Sequence, residues 1–130
     1  MGKAYNGFMT IRLLNMDFSI VKLKKETDFD KKALYSFYAR TGEEISLVCP
    51  TEIVPKEIVV REDNWRGFYI KGELDFSLVG ILADISSALA KKHIPVCAVS
   101  TYDTDYFFIK SNFLSSAWDV LAEKGYTMER

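Results

Sequence analysis

The chain is short of several things at once. It has one histidine, two cysteines and three prolines in 130 residues, and 17 basic against 18 acidic side chains leave a formal net charge of −1. So even a balance lacks the electrostatic footprint of a nucleic-acid binder. No apolar run approaches the ~18 residues that a membrane-spanning helix needs. Met1 to Thr10 lack an apolar core followed by small residues, so no secretory leader is expected. Asn6 stands where a myristoylation signal would need Ser or Thr. Cys49 and Cys97 each sit in an apolar strand pattern. Without a secretion signal they read as buried free thiols rather than a disulfide, and the expected compartment is the cytoplasm.

Catalytic motifs are missing as well. His93 has no nucleophile motif beside it and reads as a helix-end residue, not a base. There is no Ser/His/Asp or Cys/His constellation and no glycine-rich phosphate loop. Asp103-Thr-Asp105 fails as a calcium loop, because Phe108 and Leu114 stand where Gly and Glu are required. An enzyme, a metal and a cofactor are therefore not expected.

What the chain does have is apolar material, 48% hydrophobic and 14% aromatic. That suffices for one compact domain or two small lobes. Phe18–Leu23, Leu34–Ala39 and Ile45–Cys49 read as strands, with Lys24–Lys32 a charged loop. Arg40-Thr-Gly-Glu-Glu44 reads as a hairpin turn whose Gly42 supplies a positive φ. Pro50-Thr51 begins a short helical turn that Pro55 ends. Val59-Val60 opens another strand, and Arg61–Asn64 interrupts it, which makes that stretch the expected boundary between lobes 1–62 and 63–130.

The organising stretch is Gly67–Lys110. Gly67–Leu74 alternates with the two-residue period of a half-buried strand. After Asp75-Phe-Ser77, apolar residues fall at Leu78, Ile81, Leu82, Ile85 and Leu89, the spacing of an amphipathic helix. Ile94–Thr101 is a nearly continuous apolar strand, Tyr102–Asp105 breaks it, and Tyr106–Lys110 returns. A second helix follows, capped by Ser111 or Asn112 and stopped at Gly125, with Tyr126–Met128 as a last strand. The order is β-α-β-β-α-β, the ferredoxin-like pattern.

Three motifs here, Leu78–Ala90 with its glycine-led Gly80-Ile-Leu-Ala, Ile94-Pro-Val, and Ser100-Thr-Tyr-Asp-Thr-Asp-Tyr106, resemble the ACT domain family. The likeness is to small stand-alone ACT proteins, to the ACT modules of aspartate kinases and to the cytosolic arginine sensor. It covers residues 65–129 well and the first 60 loosely. The resemblance implies an α+β fold: a ferredoxin-like βαββαβ ACT domain, antiparallel sheet with helices on one face, preceded by a strand-rich, degenerate ACT-like lobe. It also implies a regulatory protein without catalysis, binding an amino acid at an ACT–ACT interface of a homodimer, with no nucleic acid or membrane as partner. Relatives often carry Gly near the position of His93, where this chain departs.

Two stretches then become the candidate ligand site. Phe76, Ser77, Leu78, Val79, Gly80 and Ile81 lead into a helix whose first amides lack intrahelical acceptors and suit a carboxylate; Gly80 could equally just relieve packing. Ser100, Thr101, Tyr102, Asp103, Thr104 and Asp105 offer hydroxyls and carboxylates to an ammonium, or else are a turn whose Asp side chains bond their own backbone. Two rivals remain: the same fold as a pure protein-interaction module, and an acylphosphatase-like enzyme, which would need an Arg that Leu74–Gly80 lacks.

Overall fold

The computed structural model describes residues 9–25, 27, 29–71 and 80–130. Its strands are β1 (Thr10–Leu23), β2 (Phe37–Arg40), β3 (Ile45–Pro50), β4 (Ile58–Lys71), β5 (Cys97–Ser100), β6 (Asp105–Lys110) and β7 (Thr127–Glu129); its helices are α1 (Ile81–Lys91) and α2 (Leu114–Glu123). The chain divides into two compact units, residues 1–15 with 66–130, and residues 16–65. The division falls within β1 and β4, so the second unit is one run of sequence and the first is made of two.

In the first unit the sheet order is β7-β1-β4-β6-β5. β5 and β6 pair antiparallel, with Val99 opposite Tyr106, and β7 pairs parallel to β1, with Arg12 opposite Glu129. One face is buried by the helices: Ile11, Leu13, Phe68, Ile70, Phe107 and Ile109 pack against Ile81, Ile85, Leu89, Ala117 and Leu121. Ile81, Ile85 and Leu89 recur every fourth residue, which keeps them on one side of α1 as its periodicity requires. On the other face, Gly67 makes room for an aromatic ring. A Cβ there would lie 2.8 Å from Phe108 and 3.3 Å from Leu14.

Both helices end in the same device. Ile94 N–H donates to Leu89 O and His93 N–H to Ala90 O; Tyr126 N–H donates to Leu121 O and Gly125 N–H to Ala122 O. These are paired 6→1 and 5→2 bonds, with a left-handed residue between helix and exit. Gly125 takes φ 106, and His93 takes φ 59. The turn is therefore the usual glycine-type stop, made here by a histidine, a residue type comparatively tolerant of that region.

In the second unit the order is β2-β3-β1-β4, with β2–β3 and β1–β3 antiparallel. Its core is Val21, Leu23, Ile45, Leu47 and Cys49, packed by Phe29, Ile53, Val54 and Ile58. Buried Ser19 shares hydrogen bonds with Thr51 and Asp63, and Asp63 also pairs with Arg61 at 3.0 Å.

Several local expectations change. β1 begins at Thr10, eight residues before the expected Phe18, and β2 begins at Phe37 rather than Leu34. β4 runs unbroken through Arg61–Asn64; Asn64 takes φ 67 inside the strand, so the polar stretch marks a local kink and not a chain break. The 41–44 turn does not use a positive φ at Gly42. Instead the hydroxyl of Thr41 accepts the N–H groups of Glu43 and Glu44, 3.1 Å each. α2 is entered through a short 3-10 turn, Ser111–Phe113, with no side-chain cap.

Candidate functional site

Of the residues singled out from the sequence, Phe76, Ser77, Leu78 and Val79 lie outside the described residues. Gly80 and Ile81 are described, as are all six from Ser100 to Asp105.

Gly80 is the cap residue just before α1, at φ 88, ψ 4, a backbone that L side chains rarely adopt, and its carbonyl accepts Asp84 N–H at 2.7 Å. Ile81 points into the core. Among the described residues no side chain caps the helix, and first-turn amides of this kind suit a ligand acceptor.

The 101–104 turn is built by threonines. Thr101 N–H donates to Thr104 O at 2.8 Å, and the Thr101 hydroxyl donates to the same carbonyl at 3.0 Å. Thr104 is buried, and its hydroxyl donates to the backbone carbonyl of Ile70 at 2.7 Å. That bond holds the turn beside the end of β4, from which the chain leads through residues 72–79 to Gly80. The hydroxyl of Thr104 is thus committed to the fold and has no proton left for a ligand. Tyr102 and Asp103 stand exposed at the tip. Ser100 donates to the Asp105 carboxylate at 2.6 Å, leaving that carboxylate with acceptor capacity for a cation.

One feature was not visible in the sequence. A groove of about 490 Å³ runs between α1 and α2, bordered by Gly80, Ala83, Ser87, Val120, Lys91 and Lys92. Asp84 sits in its wall, accepting from the Tyr126 hydroxyl at 2.6 Å and pairing with Lys124 at 2.9 Å. Partial burial pushes the Asp84 pKa up, but the Tyr126 and Lys124 hydrogen bonds and the charges of Lys124 and Lys91 outweigh it, and the net shift is downward. Asp84 lies 42 residues from Tyr126 in sequence. Only the exposed, small Ala83 and Ser87 hinted at a free helix face.

Neither thiol is activated. Burial pushes Cys49 up to about 11 despite the nearby Arg61 charge, and burial raises Cys97 too. Among the described residues, no group of three or more His, Cys, Asp or Glu side chains could hold a metal, and no helix is long and apolar enough to cross a membrane.

The geometry can be set against known proteins. Residues 60–123 match the ACT domain family model. No curated protein matches the sequence. Among solved structures, a protein from Agobacterium tumefaciens is similar over 94% of this chain and 93% of its own, at 25% identity and TM-score 0.83. The regulatory subunit of aspartate kinase from Thermus thermophilus is similar over 88% of this chain and 95% of its own, at 8% identity and TM-score 0.61. An aspartate kinase from Clostridium acetobutylicum is similar over 90% of this chain and 34% of its own, at 11% identity and TM-score 0.62. At such identities the last two speak for fold alone. With the helix-covered sheet, the glycine-led α1 and the family match over residues 60–123, the chain carries an ACT domain and has the ACT-type α+β fold.

Proposed function

We propose that this is a non-catalytic regulatory protein of the cytoplasm that binds an amino acid at an ACT–ACT interface within a homodimer. The ligand's carboxylate sits on the backbone amides around Val79-Gly80, and its ammonium lies near Ser100 and the Asp103/Asp105 carboxylates. The observation that carries this placement is the bond from Thr104 to Ile70. It sets the acidic 100–105 turn beside the strand end that leads into the uncapped start of α1. Amide donors at the start of α1 for a carboxylate, and carboxylates of the 100–105 turn for an ammonium, make a pair of groups that suits a zwitterion. The fold shared with an aspartate kinase regulatory subunit supports a regulatory role, and the raised thiol pKa values support the absence of nucleophilic chemistry.

A second reading is the interaction module without a ligand. It is favoured by the Ser100–Asp105 bond, in which the two groups already satisfy each other in part. A thermal-shift screen against the common amino acids separates the two. A ligand at ~100 times its dissociation constant stabilises the fold by about 2.7 kcal/mol, a rise of several degrees for a domain this size. Asp103→Ala with Asp105→Asn should remove that rise while lowering the unliganded stability by no more than about 0.5 kcal/mol, since Asp103 is exposed and Asn at 105 keeps an oxygen that can accept the Ser100 hydroxyl. Gly80 substitutions are a poorer probe, because φ 88 strains any side chain placed there. A flat screen would leave the interaction module standing.

A further inference from the structure

We propose that the groove between α1 and α2 is a second binding site, for a small organic anion that carries an apolar body and no ammonium group. The site is separate from the amino-acid site above, because none of the residues from Ser100 to Asp105 borders the groove. The described residues that do border it all belong to the first unit. Its volume of about 490 Å³ falls within the roughly 300–1,000 Å³ of small-molecule sites.

The walls set the body of the ligand. Small residues on the α1 side keep the space open: Gly80, Ala83 and Ala88 border it, and Val120 stands on the α2 side. Ala83, Ser87 and Lys91 follow one another at four-residue steps, so they share one side of the helix. All three are exposed. The methylene stems of Lys91 and Lys92 extend the apolar wall and carry their charges to its rim. Apolar walls with charge gathered at one end suit a molecule with a single charged head.

Charge sets the head. Lys91, Lys92 and Lys124 border the groove against Asp84 and Glu123, which leaves a net positive rim. Asp84 accepts the Tyr126 hydroxyl at 2.6 Å and pairs with Lys124 at 2.9 Å, so both of those charges are engaged in the wall. Among the described residues, Lys91 and Lys92 form no ion pair and the Ser87 hydroxyl makes no hydrogen bond. The two lysines stand at the end of α1, where the helix dipole contributes roughly half a negative charge; two whole positive charges outweigh it. A carboxylate, sulfonate or phosphate head there meets two ammonium groups and a hydroxyl donor within about one helical turn. An ammonium group would meet like charge.

The test is a fluorescence titration of the full chain with anilinonaphthalenesulfonate, a sulfonate on an aromatic body, beside the neutral N-phenylnaphthylamine. The sulfonate should bind at one site and at least about tenfold tighter than the neutral probe. K91Q combined with K92Q should weaken the sulfonate by about tenfold and leave the neutral probe unchanged, because the charges go and the walls stay. A83F, which puts a ring into the groove, should weaken both probes. Melting temperatures should stay near wild type, since all three positions are exposed. An amide chemical-shift map should place the sulfonate at Ala83, Ser87, Lys91 and Val120 and leave Ser100–Asp105 unmoved. Equal affinity for the two probes, or a K91Q/K92Q variant that binds the sulfonate as the wild type does, overturns the anion preference. Shifts centred on Ser100–Asp105, or no binding at millimolar sulfonate, overturn the groove as the site. The amino-acid reading is decided separately, by the thermal-shift screen.

Discussion

The two units contain the same hairpin twice. β2, a four-residue turn, β3 and a 3-10 turn occupy Phe37–Ile53; β5, a four-residue turn, β6 and a 3-10 turn occupy Cys97–Phe113, each part of equal length and 60 residues further along. Only Thr41 and Thr101 are identical at matching positions, and both close their turns in the same way, N–H and hydroxyl donating to the carbonyl three residues on. Leu47-Val48-Cys49 and Phe107-Phe108-Ile109 are buried in both. What differs is the cover and the polar decoration. The first unit lays two helices over its sheet, and the second uses loop and turn residues such as Phe29, Ile53 and Val54. Ser100, Asp103 and Asp105 correspond to Arg40, Glu43 and Ile45, so the cation site proposed on the β5–β6 hairpin has no equal on the β2–β3 hairpin. A shared backbone therefore does not carry a shared site.

The largest effect that can test this comparison is on the cores. Phe107→Ala should cost about 3–5 kcal/mol, since Phe107 is fully buried and stacked on Phe68. Chemical denaturation reads the loss, and residue-level hydrogen exchange should show it centred on residues 66–130. Protection lost equally in 16–65 would mean the units are not separately cooperative.

Matching turn positions give the next effect. Thr104→Val leaves the buried Ile70 carbonyl without its donor and should cost about 1–3 kcal/mol. Glu44→Ala at the corresponding exposed position should stay within about 0.5 kcal/mol. Equal costs would show that the anchor to β4 is unimportant.

The smallest effect concerns the helix layer. Tyr126 and Lys124 tie the end of α2 to Asp84 on α1. Because the folded-state pKa of Asp84 lies below its ordinary value of 3.8, its stabilisation is complete above that value and is lost as pH falls through the lowered one. Melting temperature followed from neutral pH downward should fall more steeply for the wild type than for Asp84→Asn at the acid end. Asp84→Asn should be the less stable of the two at neutral pH. Parallel curves would remove Asp84 from the account.

Much of the fold was legible because burial on one face leaves a period in the sequence. Ile81, Ile85 and Leu89 announce α1, and the apolar runs at 45–49 and 106–109 announce strands. Boundaries were less legible where polar residues sit in strands: Asn15 and Asp17 hid the first half of β1, and Asn64 carries β4 through a stretch that reads as a break. The turn at 101–104 was legible as a turn. Its anchor was not, because the Ile70 carbonyl is 34 residues away and accepts nothing that sequence can show. The α1–α2 groove was hidden for the same reason. The 60-residue repeat is geometric, and with one identical residue among matching positions no sequence period betrays it.

The most direct test of the central claim is an amide chemical-shift map of the 15N-labelled protein on addition of the amino acid that stabilises it most. Perturbations should concentrate at Gly80–Leu82 and Ser100–Asp105 and leave Arg40–Ile45 unmoved. Perturbations confined to the second hairpin or to the α1–α2 groove, or none with any amino acid, would contradict the account.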